Sequence, residues 1–330
     1  MKRNASIAAL GIVMSIAALW WAAHGIRWRE LAAVVTDTPV WLFPLMMGVY
    51  LLSFVPRALR LRSMLDGTGA PVPVVKAAGE AQVLGFAANN LLPLRMGEIV
   101  RVVALKRLAG VPPVIGLSSL VAERILDGAI IVLVLGGSVA WLGANGAAAA
   151  STDLLQTLLF TGGALFTTAV LGLFVLAFAR NWLTSACKRF LPARLSGAAA
   201  GILAAVSFLR DPRKSLQILW LSLLIWAMEG AVFVLAACCT GIPSPVMAGA
   251  LMLAVVNLGV LLPSAPGYVG VFQACGILAL QVVGQPRETG LAVSLVIHAS
   301  QYLPITLLGI ISVLRHGWSL RAMAESSQAT

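Results

Sequence analysis

The sequence predicts an all-α polytopic membrane protein with six long spans and two pairs of shorter, broken helices, arranged as inverted repeats around a midplane cavity. Three observations lead there. First, of 330 residues 60% are hydrophobic and only 11% are charged, against about 25% charged in a soluble domain. Second, apolar runs recur along the whole chain at about the twenty-residue length needed to cross roughly 30 Å of hydrocarbon. The short segments of alternating polarity that mark a β-barrel are missing. Third, Lys and Arg gather at the ends of the apolar runs, as the positive-inside bias requires. The net charge of +11 therefore comes from loop ends and not from a basic stripe on a soluble face, which excludes a nucleic-acid partner.

The elements follow in order. Residues 5–23 form the first span; its apolar run is too long for a signal peptide and ends on the interfacial pair Trp20-Trp21. Span 39–56 runs into Arg57, Arg60 and Arg62, read as a cytoplasmic end. A first broken pair follows, joined through NNLLPLRMGEIVRV (89–102) and basic at both ends, so it opens to the cytoplasm. It is either a re-entrant hairpin or two short spans. A long helix over 113–142 and a span over 154–179 are separated by an uncharged loop. The basic linker 180–214 stays cytoplasmic, with Leu195, Ile202, Val206 and Leu209 at the spacing of one helical face on the membrane surface. Span 215–239 leads outward, a second broken pair carries LLPSAPGYVGVFQ (261–273), and the last span, 290–314, ends at Arg315 and His316. Both termini are thus expected inside, in the cytoplasmic membrane of a bacterium, with Arg27, Arg29 and Arg287 left outside.

The two broken pairs resemble each other. Leu91-Leu92-Pro93 with Gly97 matches Leu261-Leu262-Pro263 with Gly267, and VAERILD of one long helix corresponds to VIHASQY of the other. The whole is read as one membrane domain with a weak repeat, 39–179 and 215–314. One pair opens inward and the other outward, the arrangement of many secondary transporters. Broken backbone at membrane depth is tolerated where it is buried in protein or lines a wet cavity. Either the tip faces such a cavity or it is a loop at the membrane surface.

The polar residues at the tip suit an anion. Pro93 cannot donate a backbone hydrogen bond, and Gly97 permits a sharp turn. The helix starting near Met96 would point N–H groups at the break. Arg95 and Arg101 flank Glu98 at three residues on either side, close enough for it to hold one of them. Asn89 and Asn90 add polar groups beside them. Glu123, Arg124 and Asp127 share one helix face and should point into the bundle, since a charge at the centre of a span costs roughly 2.5–3.5 kcal/mol. They are either an ion-pair staple with Arg101 or part of the site, and the two roles can coexist. Pro263, Pro266, Gly267 and Gly270 mark the second break. Glu229, a lone acid within a span, is either a coupling site or the partner of an arginine elsewhere. His298 is either a packed, hydrogen-bonded side chain or a proton relay.

The stretches NNLLPLRMGEIVR, LVAERILD and LLPSAPGYVGVFQ resemble the lysylphosphatidylglycerol synthase transmembrane, or flippase-like, family, including its hopanoid-associated branch. The resemblance implies lipid translocation, or support of a lipid or glycolipid biosynthesis complex such as one built on a glycosyltransferase. By position it points to Asn89, Asn90, Pro93, Arg95, Gly97, Glu98, Arg101, Glu123, Arg124, Asp127, Pro266, Gly267 and Gly270. The sequence departs from the family pattern at Gln273, where an acid is common, and at His298 and Gln301, where an arginine is common. No enzymatic chemistry, metal or cofactor is expected. The three histidines, His24, His298 and His316, lie far apart, the four cysteines have no CxxC spacing, and no phosphate-binding loop is present.

Overall fold

In the computed structural model of the chain the described residues are 2–145, 152–190, 192–242, 244–262 and 264–318. They form fourteen α-helices: α1 Lys2–Ala23, α2 Trp28–Asp37, α3 Leu42–Leu52, α4 Phe54–Leu65, α5 Val75–Leu91, α6 Gly97–Ala109, α7 Pro113–Ala144, α8 Thr152–Phe178, α9 Arg180–Phe190, α10 Ala193–Ala205, α11 Pro212–Cys238, α12 Pro245–Gly259, α13 Val271–Val282 and α14 Arg287–His316. Local chemistry explains many of the boundaries. Pro113 and Pro212 occupy first-turn positions where no N–H is needed. Asp211 caps α11 by accepting from the Arg213 and Lys214 amides. Gly110 and Gly317 end α6 and α14 in the left-handed conformation.

Among the described residues, five helical stretches are long and apolar enough to cross a membrane: Leu42–Leu65, Pro113–Ala144, Leu159–Phe178, Pro212–Cys238 and Arg287–His316. The first combines α3 and α4, which join through Ser53. Pro56 cannot donate to the turn before it, and the Ser53 hydroxyl donates to the Tyr50 carbonyl at 2.6 Å. Of the expected first span, the stretch Gly11–Ala23 of α1 is a shorter apolar helix. The linker also differs from expectation. Its helix ends at Ala205, and a 3-10 turn over Ser207–Arg210 redirects the chain. Leu195 and Ile202 are exposed while Val206 is buried beside Phe208, so the four apolar residues do not share one surface face.

The interior is built where α3, α4, α7, α11, α12 and α14 meet, around Met46, Phe54, Leu135, Phe233, Met252 and Ile297. The outer surface is also apolar: Leu133, Phe160, Phe178, Leu216 and Trp220 are exposed. Lipid would cover such a surface, so helix association rests on close van der Waals packing rather than on escape from water. Gly309 illustrates this. A Cβ there would lie 2.1 Å from the Ala87 methyl, so α14 and α5 approach at a distance only glycine permits.

Helix α14 serves as a ruler for the broken pairs. At 30 residues it is about 45 Å long. Near its C-terminal end, Ser312 and His316 bond Glu80, close to the start of α5. Its N-terminal end follows directly on α13 and carries Glu288, bound to Arg27, and Arg287, bound to the Trp21 carbonyl. Between these ends, Tyr302 and Thr306 contact Asn90 at the end of α5, and His298 contacts Gln273 at the start of α13. The hairpins α5–α6 and α12–α13 thus open at opposite ends of α14, and their tips meet at its middle.

Candidate functional site

The two tips share a backbone device. Leu94 and Arg95 are successive left-handed residues at φ 59° and 54°; Gly267 and Tyr268 are their counterparts at 68° and 60°. Left-handed non-glycine residues are uncommon and cost of order 1–2 kcal/mol each, so surrounding contacts must hold them. Arg95 makes those contacts. One guanidinium nitrogen donates to the Val260 carbonyl, just past the C-terminus of α12. The guanidinium lies 5.5 Å from the Tyr268 ring centroid, within cation–π reach. An arginine from one tip thereby caps the carbonyl end of the half-helix of the other, where its charge also complements the helix dipole.

Gly97 works differently from the turn expected of it. Its backbone is ordinary helix, and a Cβ there would sit 1.9 Å from the Gly85 carbonyl oxygen and 2.5 Å from Asn89 Oδ1. The residue is small because α5 passes against it. Its amide donates to Asn89 Oδ1 at 2.9 Å, and Glu98 adds a negative charge in the first turn. The Gly97 and Glu98 amides are therefore bonded within the protein and Glu98 opposes an anion there, against the expectation that this helix end offers these N–H groups to one. On the second tip, Pro266 and Gly267 form a 3-10 turn, and the Gly270 amide donates to Gln273 Oε1 at 2.8 Å. Pro263 lies outside the described residues.

A cavity of about 170 Å³ lies between the tips. Its walls include Tyr50, Arg57 and Phe86; Asn89, Asn90, Arg95 and Glu98 of the first tip; Arg124 of α7; Trp226 and Glu229 of α11; Asn257, Val260, Leu261 and Tyr268 of the second hairpin; and His298, Gln301 and Tyr302 of α14. The exposed Leu91, Leu94, Leu261 and Leu262 flank it on both hairpins.

Three residues expected in the site are not in its walls. Arg101, Glu123 and Asp127 are buried behind it. Arg101 grips Glu123 in a two-pronged pair at 2.8 and 2.6 Å. Asp127 receives Arg60 at 2.5 and 3.2 Å and the Trp226 indole at 3.0 Å. Arg60 also reaches Ser222 at 3.0 Å and approaches Glu123 to 3.6 Å. Two arginines and two carboxylates cancel in charge, and this set is an ion-pair staple. Glu98 does not hold Arg95 or Arg101 as its spacing predicts; its nearest cation is Arg124, at 3.7 Å and half-exposed.

Arg57 and Arg60 are read from the sequence as markers of a cytoplasmic end, but the structure buries both. Arg57 pairs with Glu229 at 2.6 Å, and Gln301 donates to the same carboxylate at 3.4 Å. A signal for these arginines exists in the chain. Glu229, Glu123 and Asp127 are three acids within spans, and intramembrane acids demand cations. Arg101 and Arg124 supply only two. Arg57 and Arg60, one helical turn apart, are the nearest further candidates. Trp226 and Asn257 carry no comparable signal, because nothing local marks a cavity-lining Trp or Asn. His298 lines the cavity and is held by its neighbours: Gln273 Nε2 lies 2.9 Å from its Nδ1, Phe272 stacks at 4.5 Å and Tyr302 meets it edge-on at 5.8 Å. Gln273 accepts from Gly270 through its oxygen, so its amide nitrogen faces the ring and Nδ1 is the acceptor.

Fold and cavity together define an integral membrane protein whose two oppositely opening hairpins meet around one cavity lined by both apolar and charged side chains. The chain belongs to the family described as the lysylphosphatidylglycerol synthase TM region, whose sequence model matches residues 7–309. No curated protein matches it.

Proposed function

We propose that this chain is a lipid translocator of the cytoplasmic membrane of a bacterium, moving an anionic lipid or lipid-linked intermediate without altering it chemically. The observation that carries the reading is the meeting of two opposed hairpin tips around one cavity at the middle of α14. Such a chamber can be reached from either face if the tips move apart in turn, which is alternating access. The head group would enter among Arg57, Arg95 and Arg124, while the leucines of both tips leave an apolar path for acyl chains. Both termini are placed in the cytoplasm because the basic clusters at 106–107 and 180–214 dominate that side. Membership of a family named for the membrane region of a lipid synthase supports a lipid as the cargo.

The test is translocation of a fluorescent anionic lipid in proteoliposomes, scored by chemical quenching of the outer leaflet. Protein-dependent movement that falls at least tenfold in Arg95→Gln, with the variant still monodisperse, is expected. Undiminished movement in that variant overturns the residue assignment. No movement of any lipid in an anionic panel counts against transport itself and favours a non-transporting partner of a biosynthetic enzyme, seen as co-purification with one.

A further inference from the structure

The three arginines of the cavity wall differ in what each leaves behind when it takes a new partner. Arg95 is bonded to a neutral carbonyl and strands no charge on leaving it. Arg124 meets Glu98 at 3.7 Å, with 42% and 34% of the two side chains exposed, so water can solvate Glu98 in its absence. Arg57 meets Glu229 at 2.6 Å, and here the side chains are only 6% and 9% exposed. The pairs of Arg60 with Asp127 and Arg101 with Glu123 are also buried, but they lie behind the wall and are two-pronged. Arg57 holds Glu229 through Nη2 alone, with Gln301 adding a long bond at 3.4 Å. Among the described residues, Arg57 and Glu229 thus form the one ion pair that is both buried and within reach of a cavity ligand.

Resting on the translocator reading, we infer that Glu229 is a proton site and that the protein moves one proton with each anionic head group it carries. An anion that meets Arg57 with two oxygens outcompetes a single carboxylate bond. Glu229 is then stranded. Two anions on one buried arginine leave a negative charge uncompensated, and such a carboxylate is neutralised rather than kept ionised out of water. It takes a proton from the aqueous side to which the cavity is open at that moment. When the anion leaves on the other side, the proton leaves with it and the bond from Arg57 to Glu229 re-forms.

The groups around Glu229 supply no substitute cation. Tyr50 of α3, Tyr268 of the second tip and Tyr302 of α14 are neutral, and His298 is engaged at Nδ1 by Gln273. Asp127 of α7 is itself an acid and occupies Arg60. Arg124 faces Glu98. The charges of the cycle also close. Three arginines against two glutamates give the empty wall one net positive charge. A monoanion and a proton together leave that charge unchanged, so loaded and empty forms cross with equal charge and the cycle is electroneutral. Without the proton, each turnover would move one charge and respond to the membrane potential. In a membrane whose outer side is the more acidic, the coupling drives the lipid toward the inner leaflet.

The test uses proteoliposomes holding the full chain and a trace of acyl-labelled fluorescent phosphatidylglycerol, a monoanion whose charge is constant near neutral pH. Quenching reads the leaflet distribution after a pH gradient is imposed and, separately, after a potassium diffusion potential is set with valinomycin. One proton per lipid enriches the label about tenfold per pH unit in the leaflet on the alkaline side, and the potential leaves the distribution unchanged. In Glu229→Gln the label should no longer follow pH. If that variant does not fold, Arg57→Gln with Glu229→Gln removes the pair as a neutral set and carries the same expectation. A native distribution that ignores pH, or that follows the potential, overturns the coupling and leaves the translocator reading intact. Infrared difference spectra on adding ether-linked phosphatidylglycerol, which has no ester carbonyl, give the second arm. A protonated-carboxyl band is expected in the native chain and not in the variants. If the band appears and no lipid crosses, the translocator reading fails and the proton exchange stands. Absence of the band overturns the Glu229 assignment whether or not lipid crosses.

Discussion

Replacing Asp127 by Leu isolates the buried staple. The change removes both carboxylate oxygens that receive Arg60 at 2.5 and 3.2 Å, and the acceptor of the Trp226 indole. Arg60 is then left about fully buried, with Ser222 at 3.0 Å and Glu123 at 3.6 Å, the latter already held by Arg101. Breaking a buried pair on one side typically costs 3–5 kcal/mol. The surviving partners of Arg60 place the loss at the lower end, about 3 kcal/mol. Removing the guanidinium as well, in Arg60→Met with Asp127→Leu, eliminates the uncompensated charge. What then remains is an unpaired indole N–H and an unpaired Ser222 hydroxyl, so the double variant should lie within about 2 kcal/mol of the native chain. The two changes together should thus cost less than Asp127→Leu alone, a clear departure from additivity. Unfolding in mixed detergent and dodecyl sulfate micelles, followed by tryptophan fluorescence, reads all variants on one scale. An Asp127→Leu loss below about 1 kcal/mol, or additive single and double losses, would refute the claim that this pair is dry and mutually dependent.

Arg101 and Glu123 should behave as structure and not as site: the paired change Arg101→Met with Glu123→Leu is expected to leave translocation per folded molecule within about twofold, checked in the proteoliposome assay beside Arg95→Gln. Gly97→Ala should destabilise by at least the ~1–3 kcal/mol of an overpacked core, because its Cβ would meet the Gly85 carbonyl at 1.9 Å; a melting curve in detergent checks this. Leu94→Gly relieves a left-handed residue that is substantially exposed, at 38%, and should stabilise by up to about 1 kcal/mol after the loss to chain entropy, read in the same melt.

The positions of the breaks are legible in the chain because proline and glycine interrupt apolar helices locally: α5 ends at Leu91, the first residue of Leu91-Leu92-Pro93, and α12 ends at Gly259, two residues before Leu261. The inward-facing charges of α7 are legible too, since lipid makes any other placement of Glu123 and Asp127 expensive. The partners of those charges are not. Arg57 and Glu229 are 172 residues apart, and Arg60 and Asp127 are 67 apart. At the end of an apolar run, an arginine that enters the core and one that marks the membrane surface look alike. Glu98 shows the same limit at short range: its two neighbours at i±3 are outcompeted by Arg124 on another helix.

Composition, run length and the prolines and glycines between runs thus determined the class and the existence of two broken pairs, because hydrocarbon imposes its demands on each helix separately; they did not fix where the second span ends, which runs on to Leu65 through the buried Arg57 and Arg60. Only the tertiary structure decided which polar side chains face one another. It sent Arg101 behind the wall and brought Arg57, Trp226 and Asn257 into it. Charge pairing and cavity shape depend on where helices meet, and in a membrane that is set by the close fit of small residues such as Gly309 against Ala87.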